Sequence, residues 1–126
     1  MIDLALPWPP SVNTYWRHPS SGALAGRHLI SAAGRKYRAL VHSKTAALGV
    51  KPAVGRLAIS ILASPPDRRR RDLDNVLKSL LDSLVHAGVV EDDELFDVIC
   101  IARAAPAAPG EVRVRIAQTE SIQPFF

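Results

Sequence analysis

Apolar and polar positions alternate at the start of the chain. Ile2, Leu4 and Leu6 are separated by Asp3 and Ala5, the period-two pattern of a strand with one face against a core. Pro7, Pro9 and Pro10 end it, because proline has no amide proton to give a ladder. A polar, glycine-containing stretch from Asn13 to Gly26 reads as a loop, and His28-Leu29-Ile30 as a second short strand. Ser31 is placed to cap a helix over 32–48, with Gly49 as its stop. Tyr37, Leu40, Val41 and Leu48 would form the apolar stripe of that helix. Leu57, Ile59 and Ile61 alternate with Ala58, Ser60 and Leu62 in the best candidate for a central strand, which Pro65-Pro66 terminates.

A second helix is predicted over 74–87. Val76, Leu77, Leu80, Leu81, Leu84 and Val85 fall at the three-and-four spacing of a wide buried face, and Gly88 supplies the stop. Strands follow near 96–103 and 112–117, the last with Val112, Val114 and Ile116 inward and Arg113 and Arg115 outward. The Ala104–Pro109 segment between them reads as a hairpin connection. Together these elements predict one α+β domain over 1–126, a small sheet carrying two helices on one side.

Composition narrows the function. The chain has 126 residues, a net charge of +4 and a pI near 9.7, a balance that suits a polyanionic partner. Its one cysteine, Cys100, excludes an internal disulfide and a cysteine-based zinc cluster, and it fits a reducing, cytoplasmic setting. Its apolar neighbours make it a small buried hydrophobe. No apolar run is long enough for a membrane span, and the N-terminus has no secretory pattern. His18, His28, His42 and His86 lack the spacing of a zinc site. There is no glycine-rich phosphate loop and no nucleophile elbow, which argues against a nucleoside triphosphatase or a serine hydrolase.

The candidate chemistry lies in Asp67-Arg68-Arg69-Arg70-Arg71-Asp72-Leu73-Asp74-Asn75, between the central strand and the second helix. Asp72 and Asp74 are two residues apart, which in an extended segment puts both carboxylates on one face. A hard divalent cation such as Mg²⁺ is the usual neutraliser of such a pair. Four consecutive arginines beside them match phosphate geometry. Phosphodiester cleavage assisted by a metal is the reading that uses both groups. Lys78 follows Asp74 by one helical turn, and Asp92-Asp93 offers a further carboxylate cluster after the helix.

Plainer alternatives stand beside each of these. Asp72 and Asp74 are also helix-capping residue types. The arginines are also what a solvated loop face looks like, Lys78 is spaced to pair with Asp74 and Asp82, and Asp92-Asp93 is also an ordinary acidic turn. Tyr15 and Trp16 are candidates either to stack on bases or to cover an edge of the core.

These motifs, in this order, resemble the RusA-type Holliday junction resolvases. The resemblance runs from Leu6-Pro7-Trp8-Pro9-Pro10-Ser11-Val12-Asn13, through the Asp67–Asn75 segment and Lys78, to Ala87-Gly88 and Asp92-Asp93. It implies a mixed sheet and a homodimeric enzyme that resolves four-way DNA junctions by paired symmetric nicks, using Mg²⁺ or Mn²⁺. It further implies that Asp72, Asp74 and Asp93 are metal-binding catalytic carboxylates and that Lys78 is an active-site lysine. Asn13, Arg69 and Arg71 match phosphate or junction contacts, with Arg68 and Arg70 in the same basic run. The chain departs from the family pattern in a longer, more neutral loop over 19–26 and in Glu94-Leu95 after the aspartate pair. Two rival functions are a non-catalytic module that binds branched DNA and a related Mg²⁺ nuclease acting on flaps or RNA.

Overall fold

The structure is a computed structural model and describes residues 1–121. Along the chain run β1 (Ile2–Pro7), α1 (Val12–Tyr15), β2 (Trp16–Arg17), β3 (Leu29–Ile30), α2 (Ala32–Ala47), β4 (Leu57–Ser64) and α3 (Asp74–His86). A 3-10 turn (Asp93–Leu95), β5 (Phe96–Arg103), β6 (Glu111–Gln118) and a second 3-10 turn (Thr119–Ser121) complete them. The main sheet has the order β1-β6-β4-β5, and β2 and β3 form a separate two-stranded ribbon. The sheet is mixed, because β4 pairs parallel with β5 and antiparallel with β6. The α+β expectation therefore holds.

One sheet face carries Leu4, Leu6, Ile59, Ile61, Val112, Val114 and Ile116, and on it lie Tyr37 and Val41 of α2 and Val76, Leu80 and Leu84 of α3. Fully burying each aliphatic side chain contributes about 1.5–3 kcal/mol, so this layer is the main source of stability. On the opposite face Asp3 accepts from Arg115 Nε at 3.0 Å and Arg113 Nη2 at 3.3 Å.

Several local expectations change. In β4 the residues from Leu57 to Ile61 are all buried, so alternation there marks which side a residue faces rather than whether water reaches it. A strand with neighbours on both sides is covered by their side chains too. The buried stripe of α2 is Gly34, Tyr37, Val41 and Thr45, whereas Leu40 and Leu48 are exposed. Ser31 does cap α2, accepting from the Gly34 amide at 2.9 Å. Cys100, on the edge strand β5, is only half-buried. Part of the stretch read as a loop from Asn13 is α1 and β2.

The Ala104–Pro109 segment does not join paired strands, because β4 lies between β5 and β6. It crosses the end of β4 instead, with Ala104 N donating to Ala63 O at 2.8 Å and Ala107 N to Pro65 O at 2.8 Å. Gly110, at φ +94°, closes this crossing. A Cβ there would come within 2.8 Å of Trp8 Cβ and 3.0 Å of Pro66 Cδ. The crossing thus holds Trp8 and the root of the arginine loop together.

Tyr15 is wholly buried, which removes it as a base-stacking group. Its hydroxyl donates to the Asp82 carboxylate, and Arg38 Nη2 also reaches that carboxylate at 2.7 Å. Arg38 Nε donates to the Tyr15 hydroxyl at 2.9 Å, so one polar cluster ties α1, α2 and α3.

Candidate active site

The arginine loop leaves the end of β4 and enters α3 without a side-chain cap. Leu73 occupies the N-cap position in a helical conformation, φ −62° and ψ −34°. This corrects the extended-segment argument for Asp72 and Asp74, because residues two apart do not face each other on a helical turn. It also removes the capping alternative, since among the described residues neither aspartate receives an amide hydrogen bond on its side chain. Asp72 contributes only its backbone carbonyl, which accepts from Asn75 N at 3.2 Å. Asp74 opens the first turn of α3, where the helix dipole favours a negative charge. Both are exposed, and among the described residues neither carboxylate makes a hydrogen bond or ion pair.

The arginines divide into two kinds. Asp67 anchors the loop by accepting from Arg71 Nη1 at 2.6 Å and from the Arg69 amide at 2.9 Å. Those two donors hold its carboxyl down at about 2. Arg71 is half-buried, with its guanidinium carbon 5.9 Å from the centre of the Trp8 ring. Arg103 Nη2 donates to Arg71 O at 2.9 Å from β5. Arg68 and Arg70 are exposed and, among the described residues, unpaired. The reading as a uniform solvated face therefore fails for Arg71 and fits Arg68 and Arg70.

Asp93 arrives by a separate route. It begins the 3-10 turn that precedes β5, whose first residue, Phe96, pairs with Leu57 at the start of β4. Asp92 caps the turn, its carboxylate accepting from Glu94 N at 3.0 Å. Partial burial raises the Asp93 carboxyl, and its hydrogen bond with Asp92 adds to the effect. The nearby charge of Lys78 pulls the other way. Lys78 makes no direct ion pair with Asp74 or Asp82, the latter being taken by Arg38. Helix α3 thus relates Asp74, at its first turn, to Lys78 and through it to Asp93.

Among the described residues no three acidic, histidine or cysteine side chains are drawn together as a ready-made metal cluster. The donor chemistry still fits a hard divalent cation, because Asp72 and Asp74 present free carboxylate oxygens while Asp3, Asp67, Asp82 and Asp97 are spent on arginines.

Four relevant residues were not visible as site residues in the sequence. Arg56 donates to Asp97 through Nε and Nη2 and to Glu94 Oε1 and O at 3.0 and 2.9 Å, clamping the turn that carries Asp93. Nothing local marked it, because its partners are about forty residues away. Arg103 likewise acts across the sheet. Trp8 had one signal, an aromatic ring set among prolines at the end of a strand, and Asn75 had only its place beside Asp74.

The model of the family described as Endodeoxyribonuclease RusA matches residues 7–117. This chain belongs to the RusA family. It is 46% identical over 121 residues to the crossover junction endodeoxyribonuclease rusA of Enterobacteria phage HK97, covering 95% of this chain and 97% of that protein. Identity to the crossover junction endodeoxyribonuclease RusA of Escherichia coli O139:H28 is 44% over 95 residues, 74% of each chain. To the protein of that name from Shigella sonnei it is 46% over 93 residues, 72% of each. The RusA match takes in Trp8, the arginine loop, α3 and Asp93.

Proposed function

We propose that this chain is an endodeoxyribonuclease that resolves four-way DNA junctions by paired symmetric nicks, as a homodimer that uses Mg²⁺. Membership of the RusA family carries the enzyme class and the junction substrate. The observation that carries the site is the pair of free carboxylates, Asp72 and Asp74, left unpaired beside exposed arginines. Among the described residues no helix is long and apolar enough to cross a membrane, and we place the enzyme in the cytoplasm.

In this reading Asp72, Asp74 and Asp93 hold the cation. A bound Mg²⁺ would supply a more acidic water and positive charge for the scissile phosphate. Lys78, beside Asp93, adds positive charge where the phosphate becomes more negative. Arg68, Arg69 and Arg70 hold phosphates of the junction arms, Arg71 backs them from its anchor on Asp67, and Asn13 adds a contact from the start of α1. A junction has two-fold symmetry, as does a pair of identical chains, so each copy faces one of two opposed strands.

A synthetic four-way junction, incubated with and without Mg²⁺, tests this. Paired symmetric nicks that disappear in Asp74→Asn, with junction binding retained, are the expected result. Binding without cleavage in Mg²⁺ or Mn²⁺ would identify a binding module instead. Preferential cutting of flaps or RNA would identify a different nuclease.

A further inference from the structure

A pocket of about 370 Å³ opens directly beside Asp72, and its walls include Trp8, Asn13, Arg70, Arg71, Asp72 and Asn75. It is rigidly built. Pro10, which also lines it, is fixed to α3 because Ser79 Oγ donates to Pro10 O at 2.7 Å. Trp8 is wedged over Gly110, and Arg71 is held by Asp67 on one side and by Arg103 on its backbone. Its two carboxamides, by contrast, are unused. Among the described residues neither the Asn13 nor the Asn75 carboxamide makes a hydrogen bond.

The ligand these walls suit is a flat aromatic ring with donors and acceptors on its edge, joined to a phosphate. Indole and guanidinium planes stack on such rings. A carboxamide offers one donor and one acceptor side by side, the arrangement that pairs with a base edge. Exposed Arg70 and free Asp72, both lining the pocket, fit a phosphate with its cation. A nucleobase meets the whole description, and a junction supplies bases that are readily unstacked where strands exchange.

We propose that this pocket receives one unstacked base of the cleaved strand next to the scissile phosphate, and that Asn75 reads its edge and so sets the cut-site preference. Trp8 stacks on the base and positions it. This rests on the junction-nicking reading above, which leaves open how the enzyme chooses where to cut.

The experiment uses a four-way junction with a mobile homologous core, so that nicks fall at many sequences, and maps their positions. The native enzyme should cut unevenly, favouring one base beside the nick by about tenfold, the size of discrimination one paired contact gives. Asn75→Ala should flatten that preference while the enzyme still nicks. An abasic nucleotide beside the preferred site should remove the native enzyme's advantage over Asn75→Ala, a comparison that needs no further variant to fold. Trp8→Leu should slow cutting at normal sites and make no difference at abasic ones. Even cutting by the native enzyme, an unchanged pattern in Asn75→Ala, or an abasic site cut as well as the preferred base would each overturn the pocket. Failure of the native enzyme to nick any junction would instead overturn the function on which the pocket rests.

Discussion

Arg56 grips Asp97 in a forked pair, Nη2 to Oδ1 at 2.5 Å and Nε to Oδ2 at 3.1 Å, while its other donors hold Glu94. The turn that carries Asp93 is thereby pinned on its far side. Groups that orient a metal ligand typically affect metal affinity by about 10–100-fold when removed. Arg56→Ala should raise the Mg²⁺ concentration for half-maximal nicking by roughly 10-fold. Thermal stability should change little, because exposed ion pairs contribute little. A Mg²⁺ titration of cleavage beside a melting curve checks this, and an unchanged Mg²⁺ requirement would leave Arg56 a purely structural residue.

At Gly34, α2 lies tight against the chain at Tyr15 and Ile30. A Cβ there would overlap the Tyr15 carbonyl oxygen and come within 2.7 Å of Ile30 Cγ1. Alanine in a helix interior normally gains about 1 kcal/mol over glycine. Overpacking costs about 1–3 kcal/mol, and a backbone oxygen cannot move aside as a side chain can. Gly34→Ala should therefore destabilise, measured as a lower midpoint in urea. A more stable variant would show that α2 can shift.

Asp67 gives a pH test of the arginine loop. Arg71 first, and the Arg69 amide second, hold its carboxyl at about 2, below the ordinary 3.8. A carboxyl depressed in the folded state contributes stability that is complete above its unfolded value and is lost as pH falls towards about 2. NMR titration should place the Asp67 midpoint near 2, and Arg71→Ala should move it back towards 3.8. A normal midpoint in the native protein would mean that the loop is not anchored this way.

Arg68 and Arg70, exposed and unpaired, are the arginines most available to phosphates. Each phosphate contact contributes roughly 0.9 to the slope of log affinity against log salt on duplex DNA. Arg68→Ala and Arg70→Ala should each lower that slope by about 0.9 for junction binding measured over a KCl series. Arg113→Ala, on the opposite sheet face and near Asp3, should not. Equal slopes in all three variants would place the DNA elsewhere.

The sequence by itself determined the elements and the class. Period-two and period-three-to-four patterns located β1, β4, α2, α3 and β6 nearly to their ends, because local spacing records which residues of an element share a side. The order of motifs from Leu6 to Asp93 was sufficient to indicate the RusA family.

Tertiary structure decided what depends on distant partners. The order β1-β6-β4-β5 puts β4 between β5 and β6, which turned an expected hairpin into a crossing over the end of β4. That crossing brings Gly110, Trp8 and Pro66 together across about a hundred residues. The same holds for Arg56 on the Asp93 turn, and for Arg71, whose four-residue run gave no sign that one member packs on Trp8 while its neighbours face solvent. Spacing along a chain reports only what its own helix or strand repeats. Which carboxylates remain free and which arginines are already taken is settled only when segments far apart in sequence compete for the same charge.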